Sequence, residues 1–439
     1  MRFTFVSNYI NHHQIPFAEA MLAEPDVDFC FIQTMPMEEE RIRMGWAAET
    51  SALPYVLCLY EDEAAARTRI MESDMVLFGW TDRFDLAAER LAAGLPLLRV
   101  SERIYKEGQW KAASPRGLLA KYREHTKYRR SDCWMLCAGA YAASDFALIR
   151  SYPGKCFRWG YFPKLRHYAE GALEEYKKRD AEGTLRLLFA GRFVPGYKHP
   201  EFALHLAERL RERGVRFRLD MIGGGEMEEE LREYAEQRRL CAPRGSAANV
   251  PAKRVLAEGA AARRRGGAQA DPPDAEDFPV VFRGFLSPDE VRAFMERAQV
   301  FLFPSNHLEG WGAVLNEAMN SGCAVVAGAE AGASPYLIRH GENGLLFAGE
   351  DERDFIRKAL WLTEDPERVR RLGRAAEETI RTLWNAETAA RELLRFTRYI
   401  LACRAEEKPV LPKGWDPPRE GPMSPAPRLR PFVRPKEEW

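Results

Sequence analysis

Several features that mark other classes of protein are missing from this chain of 439 residues. Lys plus Arg and Asp plus Glu balance at 65 each, so net charge argues neither for nor against a nucleic-acid partner, and none is predicted. The eight cysteines form no CxxC pair and lie mostly in apolar runs, which favours buried thiols in a reducing compartment over a disulfide framework.

Long hydrophobic segments are also lacking. No run approaches the roughly 20 apolar residues that span a bilayer. The start, MRFTFVSNYINHH, turns polar by Ser7 and has no apolar core of a signal peptide. We therefore expect a cytoplasmic protein whose contact with any membrane is peripheral.

Common nucleotide and metal motifs are absent as well. MIGGGEMEEEL (221–231) places three glycines between a predicted strand and a helix, but it has neither GxGxxG spacing nor the GxxxxGK[ST] pattern. This counts against a dehydrogenase and against a P-loop NTPase. No HExxH or carboxylate-rich metal motif occurs, so we predict neither a metal nor a cofactor.

What the chain does contain is an alternation of short apolar runs and longer amphipathic ones, typical of βα units. The chain is longer than a single hydrophobic core usually supports, and the alternation of strands and helices occurs in two separate series. We therefore predict an α/β protein with two doubly wound parallel sheets. Predicted strands are 2–7, 28–33, 75–79, 95–101, 133–139, 185–191, 217–223, 279–284, 300–305 and 324–328. Predicted helices are 85–94, 117–131, 200–214, 226–239, 288–298 and 386–407.

The same alternation sets the expected domains. We predict a first domain over 1–165 and a second over 166–385, with the highly charged stretch 166–183 as a linker region between them. The Ala-, Arg-, Gly- and Pro-rich stretch 241–277 cannot bury much apolar surface and is read as a flexible insertion. The amphipathic helix at 386–407 precedes a Pro-rich, extended tail over 408–439.

The stretch HLEGWGAVLNEAMNSG (307–322) follows a predicted strand of the second domain, where ligands of open α/β sheets bind. A helix that begins near Gly312 leaves unpaired N–H groups that favour a phosphate or diphosphate. Gly310 and Gly312 allow close backbone approach. Those amides belong to Gly312, Ala313, Val314 and Leu315.

Two glutamates flank this turn. Glu309 lies in the loop, on the side to which a sugar attached to the phosphate extends, and Glu317 lies two turns into the helix, within reach of a ribose. Carboxylates accept hydrogen bonds from paired hydroxyls. A plainer reading is that Glu309 complements a helix dipole and Glu317 is a surface residue; the residues around them favour the sugar nucleotide.

A second element, LLFAGRFVPGYKHPEFAL (187–204), supports that reading. A strand ends at Gly191 and Arg192, and Lys198 precedes a helix, so the two cations are predicted to converge on phosphates. The glycine turn of MIGGGEMEEEL, which begins at Gly223, adds a weaker signal, because the need for a tight turn would by itself explain the glycines.

Together these motifs, with FRGFLSPDEV (282–291) and HGENGLLF (340–347), resemble family-4, or group 1, retaining glycosyltransferases over about residues 185–385. The resemblance implies the GT-B architecture, in which two Rossmann-like domains face a cleft and a final helix, here 386–407, crosses back to the first domain. It implies that Glu309 holds donor-sugar hydroxyls and Glu317 the ribose. It assigns the diphosphate to Arg192, Lys198 and the amides from Gly312 to Leu315, and it frames the base with Phe285 and Leu286.

The first domain carries the likeness less clearly. The family often has a glycine-rich loop after its first strand, but this chain has SNYINHHQIPF (7–17), from which His12 or His13 binds acceptor or donor phosphate or has a structural role. The family commonly uses a first-domain histidine near the anomeric carbon, and His13 is our candidate. Glu102 and Arg103, at another strand end, are further acceptor-side candidates, and His125 is another.

The implied reaction transfers a hexose from a UDP- or GDP-sugar to a hydroxyl with retention, in cell-surface polysaccharide or glycolipid synthesis. In the front-face mechanism proposed for the family, the leaving phosphate takes the acceptor's proton. Acceptors are expected to be glycans or lipid-linked, and the basic helix around His125 favours the anionic inner face of the membrane. Two alternatives stay open: a sugar-nucleotide epimerase of the same architecture, and a binding protein without catalysis.

Overall fold

The computed structural model describes residues 1–39, 53–243, 278–408 and 415–430. The chain forms two units. Unit 1 comprises Met1–Leu165, Gly310–Ala313 and Thr382–Trp439, and unit 2 comprises Arg166–Glu309 and Val314–Arg381. Almost all of the predicted insertion at 241–277 lies outside the described residues, as do both flanks of the tail segment 415–430.

Unit 1 is built around a sheet of seven parallel strands in the order β3-β2-β1-β4-β5-β6-β7. Its elements are β1 (Arg2–Ser7), α1 (Ile15–Leu22), β2 (Asp28–Gln33), β3 (Val56–Cys58), α2 (Glu63–Glu72), β4 (Met75–Phe78), α3 (Phe84–Ala92), β5 (Leu97–Ser101), α4 (Pro115–Glu124), β6 (Cys133–Ala138), α5 (Ala142–Leu148) and β7 (Cys156–Trp159). Two 3-10 turns, Gln109–Ala113 and Thr126–Tyr128, flank α4.

Unit 2 has a sheet of six parallel strands in the order β10-β9-β8-β11-β12-β13. Its elements are α6 (Ala172–Tyr176), β8 (Leu185–Ala190), α7 (Pro200–Glu212), β9 (Phe217–Ile222), α8 (Glu228–Gln237), β10 (Val280–Gly284), α9 (Pro288–Arg297), β11 (Val300–Phe303), α10 (Ala313–Asn320), β12 (Ala324–Gly328), α11 (Ser334–Leu337), β13 (Leu345–Phe347), α12 (Glu352–Thr363) and α13 (Pro366–Thr382).

The central strands of both sheets are apolar on both faces because helices cover them from both sides. Every residue of β4, β6 and β12 is buried. In unit 2, Phe189, Leu219 and Leu302 of three neighbouring strands belong to one core with helical residues such as Phe202 and Leu231. The predicted fold class, two doubly wound α/β domains, is confirmed.

Helices begin where the local sequence favours it. Ser287 caps α9: its hydroxyl accepts from the Glu290 N–H at 3.4 Å, while the Glu290 carboxylate accepts from the Ser287 N–H at 2.8 Å. Pro288 then occupies the first turn, where its missing N–H costs nothing. This is the SPDE sequence of the motif at 282–291.

The last long helix, α14 (Ala386–Ala405), belongs to unit 1 although unit 2 precedes it in the chain. It packs against α1, and its Phe396 ring lies edge-on to Trp134 at 5.6 Å between centroids. The chain therefore returns to unit 1, as predicted for 386–407.

Three strands were not predicted, and all three are short strands at sheet edges: β3, β7 and β13. Edge strands are half covered and carry a weaker apolar signal than central ones. The tail pairs with one of these edges, since the Arg158 N–H donates to the Ser424 carbonyl at 2.7 Å and the Met423 N–H to the Arg158 carbonyl at 2.9 Å. The tail segment 415–430 is thus bound to the sheet, and it bends over 419–424, where Gly421 and Met423 have positive φ, so it is not extended throughout.

The charged stretch 166–183 does not behave as a linker either. It contains α6 and packs within unit 2, where the ammonium of Lys177 donates to the carbonyls of Met295 at 2.9 Å and Ala298 at 2.5 Å. Several of its charges, such as those of Arg166 and Lys177, are held in specific contacts, which composition alone does not reveal.

Candidate functional site

The loop that follows β8 in unit 2 brings two of the predicted cations to one tyrosine. Lys198 Nζ lies 4.8 Å from the centroid of the Tyr197 ring, and the Arg192 guanidinium lies 6.0 Å from the same centroid. Arg192 is exposed and has no ion-pair partner among the described residues, so it remains available for an anion. Tyr197 was missed in the sequence, where only its position next to Lys198 could have pointed to it.

Lys198 also contacts Glu309, which is 8% exposed. The Tyr197 hydroxyl donates to the other Glu309 oxygen at 3.2 Å. Two residues that lie 111 positions apart therefore form one cation–carboxylate pair at the carboxyl ends of β8 and β11. The prediction that Lys198 and Glu309 serve one site gains a geometric basis, while their roles toward a ligand stay a prediction.

Asn306 fixes the loop that carries Glu309. Its side-chain amide donates to the Gly196 carbonyl at 2.9 Å and to Glu350 at 2.7 Å, and its backbone N–H donates to the Tyr197 carbonyl at 3.1 Å. The buried amide thus ties the loop after β11 to the loop after β8. Asn306 is a positioning residue that sequence reasoning did not find, although it stands directly behind the predicted strand.

The glycine turn after β9 braces the same loop. Gly223 has φ +127°, and a Cβ there would lie 1.9 Å from the Gly191 carbonyl oxygen. The Gly191 N–H donates to the Ile222 carbonyl at 3.0 Å, and the Phe193 N–H donates to the Gly224 carbonyl at 2.9 Å. Gly223 therefore acts on the site through the backbone that carries Arg192, which is a more specific requirement than a tight turn.

The base-framing candidates follow β10. Phe285 is 69% exposed, and Leu286 is half-buried. An aromatic ring left this exposed beside the glycine turn is available to a planar ligand, which agrees with the predicted position but does not test it.

Helix α10 begins at Ala313, so its first amides, those of Ala313, Val314 and Leu315, lack intrahelical acceptors. Glu317 lies in the second turn, half-buried, and its carboxylate has no hydrogen bond or ion pair among the described residues. Burial raises the pKa of Glu317, although the charges of Arg292 and Arg166 act in the opposite direction. An acceptor group of this kind suits the hydroxyls of a ribose.

Residues 310–313 belong to unit 1 by their contacts. A Cβ on Gly310 would overlap the Glu102 carboxylate at 1.9 Å, and a Cβ on Gly160 would lie 2.3 Å from the Trp311 ring. Gly312 has φ +92°, in the left-handed region that favours glycine. Gly312 is thus required by its backbone conformation, whereas a side chain at 310 would have to displace the end of the Glu102 side chain.

Three of the acceptor-side candidates belong to one series of neighbouring side chains in unit 1. The rings of His12 and His13 are 3.9 Å apart, and His13 lies 6.1 Å from the Tyr161 ring. The Tyr161 hydroxyl donates to Glu102 at 2.8 Å, and Lys106 pairs with the other oxygen of that carboxylate. The structure brings His12, His13 and Glu102 together through Tyr161, which the sequence did not indicate.

Burial favours the neutral form of both histidines. Burial lowers the pKa of His12 to about 4, and burial together with the neighbouring His12 lowers the pKa of His13 well below its usual value. A neutral imidazole can donate one hydrogen bond and accept another, so the pair suits hydroxyl recognition better than phosphate binding by charge.

Arg103 does not join this group. Its guanidinium is buried and pairs with the buried carboxylate of Asp145 at 3.3 Å. His125 is also structural: its Nδ1 lies 3.0 Å from the Tyr152 hydroxyl and 3.2 Å from Arg99, and burial lowers its pKa to about 2. Both side chains are thus held by contacts inside unit 1, which favours a structural role for each, while ligand-binding roles for Arg103 and His125 stay predictions.

Across the described ranges, no group of three or more His, Cys, Asp or Glu side chains is placed to hold a metal ion. Within the same ranges, no helix is both long enough and apolar enough to cross a bilayer.

Comparison with known proteins identifies the segment around Glu309 and Glu317. Residues 279–379 match the family model described as Glycosyl transferases group 1. The sulfoquinovosyl transferase SQD2 of Arabidopsis thaliana is 37% identical over 143 residues, which are 31% of this chain and 28% of that protein. The D-inositol 3-phosphate glycosyltransferase of Streptomyces bingchenggensis is 29% identical over 208 residues, 46% of this chain and 38% of that protein.

These alignments span only about a third of the curated relatives they match. Among solved structures, Anabaena Alr3699/HepE in complex with UDP and glucose aligns with a TM-score of 0.56 at 13% identity, covering 90% of this chain and 98% of that one. The resemblance to the group 1 glycosyltransferases and the GT-B fold class are both confirmed.

Proposed function

We propose that this chain is a retaining glycosyltransferase that moves a hexose from a UDP- or GDP-sugar to a hydroxyl of an acceptor. The observation that carries the proposal is the pairing of Lys198 with Glu309, beside the same tyrosine as Arg192, which has no ion-pair partner in the described ranges. The match of residues 279–379 to the group 1 model supports it, and so does the structural similarity to HepE, which was solved with UDP and glucose.

In this proposal each charged group of unit 2 acts on one part of the donor. Glu309 accepts hydrogen bonds from hydroxyls of the transferred sugar, and Glu317 accepts them from the ribose. Arg192 and Lys198 bind the diphosphate, with the first amides of α10 as further donors. Lys198 then holds both the carboxylate and the phosphate next to it, so it fixes the sugar and the leaving group relative to each other.

The reaction breaks the bond between the anomeric carbon and the diphosphate oxygen and forms a bond from that carbon to the acceptor oxygen on the same face. The acceptor's proton passes to the departing phosphate oxygen. Negative charge grows on the diphosphate in the transition state, where Arg192 and Lys198 stabilise it without a divalent ion. His13, with His12 and Glu102 nearby, is proposed to orient hydroxyls at the acceptor side.

The acceptor is proposed to be a glycan or a lipid-linked hydroxyl compound, used at the cytoplasmic face of the membrane in polysaccharide or glycolipid synthesis.

Two measurements test the function. Thermal stabilisation by a panel of UDP-, GDP- and ADP-sugars identifies the donor, because selective binding raises the melting temperature by mass action. Incubation with that donor then separates the alternatives: transfer to an added acceptor with retention supports the proposal, an isomerised sugar nucleotide without acceptor indicates an epimerase, and binding without conversion indicates a binding protein. Failure of every sugar nucleotide to stabilise the protein would refute the donor site.

A further inference from the structure

Helix α4 of unit 1 has its apolar side turned toward solvent. Leu118, Leu119 and Tyr122, which helical spacing places on one side, are 40%, 52% and 54% exposed. No residue of this helix is buried. Trp110, in the 3-10 turn before it, is 73% exposed. We call these four residues the outward face.

The opposite side of α4 is polar and faces the protein. Gly117, Lys121 and Glu124 are its half-buried positions, and Lys121 pairs with Glu124 at 2.8 Å. Lys121 and Glu124 line a cavity of about 390 Å³ within unit 1, together with Trp80 and Arg99. A surface helix of a water-soluble protein ordinarily shows the reverse arrangement, with apolar residues inside.

This orientation is fixed by contacts at the end of the helix. The Arg99 guanidinium donates to the Glu124 carbonyl at 2.5 Å and lies 3.2 Å from His125, which is buried directly after the helix. The outward face therefore cannot turn inward without breaking buried hydrogen bonds, and its apolar area stays in contact with whatever surrounds unit 1.

The charges beside the outward face are basic. Lys111 pairs with Glu107 and Lys121 with Glu124. The remaining basic residues of this stretch are exposed and have no acidic partner within the described part of the chain: Arg116, Arg123, Lys127, Arg129 and Arg130.

We propose that the outward face docks unit 1 on the surface of an anionic lipid bilayer. Leucine, tyrosine and tryptophan side chains enter the boundary of the acyl chains, while the flanking arginines and lysine stay at the level of the phosphates. A nucleic-acid backbone would not bury the apolar surface of the leucines. Five like charges would repel each other if two copies of the same face paired. The inference rests on the proposed function only in naming the membrane as the place of the acceptor.

The test uses the full chain and vesicles of phosphatidylcholine, with or without phosphatidylglycerol. The wild-type protein is expected to co-sediment with the anionic vesicles at low salt and much less with the neutral ones. Leu118→Ser with Leu119→Ser is expected to weaken partition about tenfold or more, because two apolar side chains no longer enter the interface. Leu148→Ser is the matched control, since Leu148 is 49% exposed elsewhere in unit 1.

Removal of charge is the second arm. Arg116→Gln with Arg123→Gln is expected to weaken binding to anionic vesicles about 25-fold, since each basic residue near the surface contributes about a factor of five. Lys178→Gln, an exposed charge of unit 2, serves as its control. If the Trp110 indole enters the bilayer, bromine-labelled lipid should quench the tryptophan fluorescence of the wild-type protein more than that of the Trp110→Phe variant.

Some results would overturn the proposal: vesicle binding that the outward-face variants leave unchanged, a change from dimer to monomer in those variants, or binding of an RNA oligonucleotide in place of vesicles. Donor-dependent thermal stabilisation is measured on the same variants without vesicles. If it persists while vesicle binding is lost, docking is separate from donor binding. If no sugar nucleotide stabilises even the wild type, the proposed function fails while the docking result stands.

Discussion

Replacement of Gly223 by alanine tests whether the glycine turn shapes the loop that carries Arg192. The new Cβ would lie 1.9 Å from the Gly191 carbonyl oxygen, which must move by about 1.5 Å to reach ordinary contact. The backbone at Gly223 also has φ +127°, for which a residue with a Cβ incurs about 1–3 kcal/mol of strain. Displacement of Gly191 weakens its hydrogen bond to Ile222, worth about 1 kcal/mol. Strain and the weakened hydrogen bond together give an expected loss of about 2–4 kcal/mol in the stability of this part of unit 2.

Two neighbouring glycines supply controls that separate the causes. Gly214 has φ +67° but no atom within 4 Å of its Cβ position, so Gly214→Ala measures the conformational strain alone, at about 1 kcal/mol. Gly224 lacks the positive φ, and its nearest contacts are the movable side chains of Glu228 and Phe285. Gly224→Ala is therefore expected to cost less than Gly223→Ala.

Hydrogen exchange measured by mass spectrometry on peptides from β8 and β9 reports this local stability, and thermal shift with the best sugar nucleotide reports the site. Gly223→Ala should raise exchange in both strands and reduce the donor-induced shift. If its exchange and donor binding match those of Gly214→Ala, the contact with Gly191 does not shape the site, and the reasoning fails.

Three further predictions concern charged residues. Arg192→Ala or Lys198→Ala should lower kcat about 10²-fold by removing stabilisation of the departing diphosphate; steady-state kinetics with near-normal turnover in both variants would contradict the assigned roles. Because burial raises the pKa of Glu317, its carboxylate should protonate at a higher pH than an ordinary glutamate. Donor affinity of the wild type should then decline as pH falls through that raised pKa. The Glu317→Gln variant should bind the donor more weakly at neutral pH, and its affinity should show no such decline in titrations across the acidic range. Arg103→Met should destabilise unit 1 by about 3–5 kcal/mol by leaving the carboxylate of Asp145 buried without its partner, seen as faster hydrogen exchange in unit 1, while the donor-induced thermal shift stays unchanged.

Much of the fold followed from periodicity. Strands such as β1, β2 and β12 begin and end where the apolar runs do, because a central parallel strand is buried on both faces and its signal is local. The helix of 386–407 was equally clear. The edge strands β3, β7 and β13 were not predicted, because their pairing depends on a neighbour distant in sequence rather than on their own composition.

The site divides in the same way. Lys198 and Glu309 could be selected from the sequence because charge and glycine at strand ends have a local meaning, whereas Asn306 and Tyr197 could not, because their importance comes from contacts across two loops. Arg103 shows what the sequence leaves out. Its position at a strand end predicted a ligand role, but only the structure reveals that its guanidinium pairs with the buried carboxylate of Asp145.

By itself the sequence determined which residue types stand at the ends of the strands, and hence the class of ligand that we propose for unit 2. Tertiary structure alone decided which charges are paired, which glycines admit no side chain, and which way α4 faces. The physical reason is that propensity and burial pattern act between near neighbours in the chain, while ion pairs and close backbone packing form between residues that only folding brings together.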